Sequence, residues 1–136
     1  MSRLAERLTE LHRHLGHLRE IRPRVTGEAL RRDLSLHNDV LFSLLTVCQL
    51  VIDLASELSA RRHLRFEDYT EAVRNLESFP EFTPDLVREL EPLPGFRNVL
   101  IHEYVSLDLK RVLVALDHLQ AVEDFARIVR QIVAAD

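Results

Sequence analysis

The 136-residue chain has no Trp, a single Cys, three Gly and five Pro, and only 6% of it is aromatic. Each scarcity excludes something. The lone Cys48 cannot form an intramolecular disulfide, and its apolar neighbours suit an inert buried thiol better than a nucleophile. With so few Gly and Pro, the composition is that of a folded globular chain rich in helix, and disorder is not expected. β-Branched residues rarely alternate with polar ones, so strand signals are weak throughout. Long apolar runs are also missing. The longest uncharged one, Val40 to Ile52, is about 13 residues, short of the roughly 20 that cross a bilayer, so no membrane span is expected. Glu6 and Glu10 interrupt any signal-peptide core, and the expected location is the cytoplasm.

What is present is leucine, helical spacing and charge. Hydrophobic residues make up 46% and charged residues 29%, enough for one sizeable core, and residues 1–136 read as a single domain. The expected fold class is all-α, an antiparallel helical bundle of four to five main helices with short connecting helices. Leu4, Leu8, Leu11, Leu15 and Leu18 mark one stripe of a first helix ending near Arg22-Pro23. A second, long helix is predicted from about Gly27 to Ala60, apolar around most of its circumference at VCQLVIDLASEL (47–58). Its one narrow polar stripe is Thr46, Gln49, Asp53 and Ser56. Either this is the helix's only wet edge, or Asp53 looks into a functional cleft or across a subunit interface. A third helix is expected to open at Glu67-Asp68 and end at Phe79-Pro80. Thr83 and Pro84 are expected to open a fourth that runs through Glu91. Pro92-Leu93-Pro94-Gly95 reads as its breaker, and Ser106 or Asp108 as the cap of a last helix carrying Leu109 through Ile132.

Charge is uneven. The net value is −4, which argues against a non-specific nucleic-acid coat. Residues 1–32 carry eight Arg against four Glu, while residues 67–91 carry eight acids against Arg74 and Arg88. Solvated faces account for both, and so would a polyanion at one end and a basic partner at the other. His14 and His17 have a spacing a metal could use, but no Cys or second clustered carboxylate completes a ligand set, so no metal is expected and solvated surface is the simpler reading.

The stretch FRNVLIHEYV (96–105) is the least ordinary. Arg97, Asn98, His102 and Tyr104 stand among Phe96, Val99, Leu100, Ile101 and Val105, a set otherwise fit for a buried helix. Polar groups buried there would need partners. On an ideal helix Asn98 and His102 lie nearly in line, as do Arg97 and Tyr104, whereas Arg97 and His102 are about 140° apart. One ligand would meet both only if Arg97 reaches round, the helix distorts or a second subunit completes the site. Arg offers a planar fork of donors for phosphate, His moves protons near neutrality, and Asn98 could fix the imidazole tautomer. These are parts for RNA cleavage without a metal. A paired structural Arg and His would leave the same spacing.

Arg97-Asn98-x-x-x-His102-x-Tyr104 resembles the R-x4-H-x-Y motif of the HepT family, toxin ribonucleases of the HEPN superfamily. Gln49 with Ile52-Asp53-Leu54-Ala55 resembles that family's long second helix. Phe66 to Leu76 resembles its following short helix, and Ser106-Leu107-Asp108 its entry to the final helix. The resemblance implies a HEPN-like bundle and the toxin of a type VII-like toxin-antitoxin system. It implies a homodimer that brings two motifs to one cleft, with RNA as substrate and no cofactor. His102 would transfer protons, Arg97 would bind the phosphate, and Asn98 would support them, while Asp53, on the alternative reading of its polar stripe, is a candidate supporting residue of the cleft. Tyr104 would be the residue adenylylated by a cognate minimal nucleotidyltransferase antitoxin. RNA affinity would draw on Arg61, Arg62, Arg65 or the basic first helix. Two further readings stand beside this one: a non-catalytic HEPN module that binds nucleotide or docks a nucleotidyltransferase, and a helical interaction protein with a buried Arg-His pair.

Overall fold

A computed structural model describes residues 2–135, which are helical with no strand among them. The first helix, α1 (Arg3–Ile21), starts where the Ser2 hydroxyl accepts the Ala5 N–H. It buries all five of its predicted leucines. Each such side chain contributes about 2 kcal/mol of apolar burial, so this stripe is what fixes α1 to its neighbours. A 3-10 turn at Arg22–Arg24, with Pro23 inside it, ends the helix as the sequence predicts.

The long second helix is in fact two. The first part, α2 (Gly27–Arg32), is capped by Thr26, and the chain then becomes extended at Asp33 (φ −108°, ψ 100°). The Asp33 carboxylate accepts the Leu36 N–H at 3.1 Å and so opens α3 (Leu34–Arg61). Asp favours such a cap over a helix interior because its side chain competes for backbone donors. By length and composition alone α3 could cross a bilayer, contrary to the expectation from its uncharged run, but half of its most apolar window is buried inside the protein. It is the central helix, packed against α1 and against several of the shorter helices that follow.

The Schellman arrangement that closes α3 uses an unusual residue. His63 takes φ 58°, its N–H bonds Ala60 O, and Leu64 N–H bonds Ser59 O. Asp68 then caps α4 (Tyr69–Arg74), which tightens into a 3-10 turn at Asn75–Ser78 before Phe79. Thr83 caps α5 (Pro84–Leu90), as predicted. The Pro92–Gly95 stretch is no simple breaker, because Leu93, Pro94 and Gly95 form the first turn of α6 (Leu93–His102). Pro is at home there, where its missing N–H would have no intrahelical partner.

The last predicted helix is also split. Asp108 caps α7 (Leu109–Asp117), and the chain turns at His118 before α8 (Gln120–Ala135). The halves serve different neighbours, α7 packing on α2 and α8 on α1 and α5, which a single straight rod could not do.

Candidate functional site

The stretch 96–105 is not a buried helix. Within α6 only Pro94, Phe96 and Leu100 are buried, anchoring one side of the helix to the core. Arg97 is half-buried, and Asn98 and His102 are exposed. The helix ends at His102, Glu103 leaves helical geometry (φ −126°, ψ 26°), and Tyr104–Ser106 form a 3-10 turn. Tyr104 therefore leaves the helical line that would have set it above Arg97. Its side chain is 62% exposed, so it is not a core aromatic.

Arg97 is held by two carbonyl-type oxygens. Its Nε–H donates to Gln49 Oε1 at 2.9 Å, and its Nη1 donates to Asn98 Oδ1 at 3.0 Å. Asn98 is thus turned to Arg97 rather than to the imidazole. Behind Gln49 the chain of contacts continues. Gln49 Nε2 donates to Asp53 Oδ1 at 2.9 Å, Asp53 Oδ2 lies 3.9 Å from Arg7 Nε, and Arg7 Nη1 reaches Glu57 Oε2 at 3.2 Å. Three helices, α1, α3 and α6, meet along this line. The polar stripe of α3 accordingly faces two other helices, while the Ser56 hydroxyl is buried without a hydrogen-bond partner among the described residues.

Asp53 thus reaches Arg97 only through Gln49. Arg7 and Glu57 were not singled out in the sequence, although Gln49, Asp53 and Glu57 recur every four residues on α3, the signature of one face. Cys48 lies one residue before Gln49. Burial pushes its thiol up to about 12, with the nearby Arg97 charge working weakly the other way. It is an inert thiol at neutral pH.

His102 makes no hydrogen bond or ion pair among the described residues, so a buried structural Arg-His pair does not exist here. Of the other basic candidates, Arg62 is tied down, with its Nη1 on Ser78 O at 2.9 Å and its guanidinium 3.8 Å over the Phe79 ring. His14 and His17 are not simply solvated: His14 Nδ1 lies 3.1 Å from Ser43 Oγ, and His17 Nε2 lies 2.8 Å from Asp39 Oδ1. Among the described residues no group of three or more His, Cys, Asp or Glu side chains could hold a metal.

Known proteins resemble this chain over most of its length. The mRNA nuclease HepT of Shewanella oneidensis is 26% identical over 106 residues, spanning 76% of this chain and 80% of the relative. The tRNA nuclease HepT of Aphanizomenon flos-aquae is 29% identical over 132 residues, spanning 93% and 84%. A solved structure of the tri-AMPylated Shewanella oneidensis HEPN toxin in complex with an MNT antitoxin superposes with a TM-score of 0.78 at 22% identity, over 98% of this chain and 99% of that one. That likeness establishes the HEPN fold. A family model described as Ribonuclease HepT-like matches residues 11–132, and with nearly the whole chain inside that match, the protein belongs to the HepT-like ribonuclease family.

Proposed function

We propose that this protein is the ribonuclease toxin of a toxin-antitoxin pair, cutting RNA with Arg97 and His102 and without a metal. The observation that carries the reading is the pairing of a fixed cation with an open imidazole on one short helix: Arg97 braced by Gln49 and Asn98, and His102 exposed at the helix end. In the proposed reaction a His102 imidazole removes the proton from a ribose 2′-hydroxyl. That oxygen attacks the adjacent phosphorus, and the 5′-oxygen leaves with a proton from a second acid. Arg97 offers its remaining guanidinium donors to the non-bridging oxygens as charge builds on them. The products are a 2′,3′-cyclic phosphate and a 5′-hydroxyl.

One chain supplies one such imidazole at this motif, and Arg97 and His102 are five residues apart on a regular helix, hence about 140° apart around it. A second copy of the chain supplies the missing proton carrier and closes the angular gap, so the active form is a homodimer. Tyr104, exposed on the turn after His102, is the site at which a nucleotidyltransferase antitoxin attaches AMP. Phosphates placed there compete with RNA for Arg97.

Incubating the purified, mass-verified unmodified protein with total cellular RNA tests this, with mapping of new 3′ ends. Cyclic-phosphate ends that vanish in His102→Ala support the reading. RNA left intact by both proteins overturns it in favour of a module that docks a nucleotidyltransferase, a reading favoured by the antitoxin complex in which the Shewanella relative was solved.

A further inference from the structure

We infer that Gln49 is a positioning residue that orders the Arg97 guanidinium without neutralising it, and that the Asp53–Arg7–Glu57 chain fixes the orientation of the Gln49 amide. This rests on the role proposed for Arg97 in binding phosphate. A glutamine amide can sit in either of two flipped orientations, with its oxygen or its NH2 toward Arg97. Only the first is compatible with a guanidinium, which has donors and no acceptor. Asp53 makes the choice. An ionised carboxylate only accepts, so it draws Gln49 Nε2 to itself at 2.9 Å and leaves Oε1 to take the Arg97 Nε–H.

Arg7 and Glu57 serve the next link. Side chains of Arg7, Asp53 and Glu57 are each about a quarter to a third exposed (29%, 32% and 26%), so the charges are partly desolvated and each carboxylate gains from the Arg7 guanidinium between them. Asp53 has the Arg7 guanidinium 3.9 Å from one oxygen and accepts from Gln49 on the other, which fixes where the carboxylate sits. A carboxylate placed directly on Arg97 would hold that side chain equally well. It would also cancel the charge that an RNA phosphate must meet. A neutral amide between the two carries the order and not the neutralisation. The Nε–H is used on Gln49 and one Nη1 hydrogen on Asn98, which leaves the other Nη hydrogens as the donors for a phosphate.

Ordering Arg97 and sparing its charge are separable by substitution, whereas a merely structural contact has only the first to lose. Gln49→Ala removes the Nε anchor of Arg97, leaving only Asn98 on Nη1, and keeps its charge. The double variant Gln49→Glu with Asp53→Asn moves the carboxylate one link nearer to Arg97 at constant total charge. It keeps an acceptor on the Nε–H and a donor behind it.

The test combines steady-state cleavage of a defined RNA with NMR exchange of the Arg97 Nε–H, assigned by its loss in Arg97→Lys. In Gln49→Ala, kcat falls by about 10- to 100-fold, the scale of a misplaced catalytic group, the Nε–H exchanges faster, and the thermal midpoint stays near that of the unaltered protein. Asp53→Asn gives a smaller change in the same direction. The double variant keeps slow Nε–H exchange and shows a raised KM. An unaltered rate with slow exchange in Gln49→Ala overturns the inference, as does a double variant whose KM does not move. RNA left intact by the unaltered protein overturns the nuclease reading instead, and the exchange rates then decide alone whether Gln49 orders Arg97.

Discussion

Ser43, 2% exposed on α3, places its Oγ 3.1 Å from Nδ1 of His14 on α1. The contact sits between the two longest helices of the bundle, and it makes their packing sensitive to pH. Burial lowers the His14 pKa from the ordinary histidine value, opposed by Glu10 and reinforced by Arg13 and His17, with Asp39 the weakest influence. The folded state thus binds a proton on His14 less readily than the unfolded chain does. Stability is unaffected above the ordinary histidine range of about 6.5 and declines as pH falls through and below it. Urea midpoints taken from pH 8 to pH 5 should fall for the unaltered protein and fall less for His14→Gln, which cannot ionise. Parallel declines in the two proteins would assign the pH dependence to other groups.

His63 supplies a stability prediction of the opposite sign. It closes α3 in the left-handed region at φ 58°, a conformation that costs a side-chain-bearing residue about 1–2 kcal/mol and glycine almost nothing. Because Gly also gains freedom in the unfolded chain, the net gain from His63→Gly is about 0.5–1 kcal/mol. Chemical denaturation would register this as a higher midpoint at unchanged slope. A lower midpoint would mean that the imidazole itself holds the turn.

How much of this was legible in the sequence follows from the range of each signal. The leucine stripe of α1, the cap at Thr83, the helix start at Glu67-Asp68 and the choice of Ser106 or Asp108 as a cap, which falls to Asp108, were readable because periodicity and capping are local. The breaks at Asp33 and His118 were not. Both lie in apolar-periodic sequence with no Gly or Pro at the break, and the chain turns there because the two halves pack on different helices. At the candidate site, the motif of Arg97, Asn98, His102 and Tyr104 was legible as residue types at set spacings. The bond from Arg97 to Gln49 spans 48 positions and the one from Arg7 to Glu57 spans 50, so no local pattern reports them. The exposure of Tyr104 followed from the end of α6 at His102, where apolar neighbours on both sides had suggested continued helix.

Cys48 offers a check on the packing beside Arg97. Its side chain is buried against the core, and a thiol raised to about 12 leaves almost no thiolate at neutral pH. In the folded protein it should not react with a thiol-specific disulfide reagent over hours, while the denatured protein should give one equivalent at once. Rapid native labelling would show that α3 and α6 part readily, and the anchoring of Arg97 to Gln49 would then be in doubt as well.

The proposed roles of His102 and Tyr104 can be separated from stability because both side chains lie on the surface. Truncating His102 opens no cavity and strands no partner among the described residues, so His102→Ala should change folding stability by less than about 0.5 kcal/mol. Its RNA cleavage should fall by about 10²- to 10⁴-fold, the usual worth of a general acid-base group. Tyr104→Phe removes only an exposed hydroxyl and should cleave RNA near the unaltered rate, since that hydroxyl has no part in the proton transfers. The same variant should lose the AMP mass increments that the unaltered protein acquires on coexpression with its nucleotidyltransferase. It should therefore stay toxic in cells where the unaltered protein is silenced. Increments that persist in Tyr104→Phe would move the modification to another hydroxyl. Persistent increments together with lost cleavage would give Tyr104 a catalytic part that its position on the turn does not suggest.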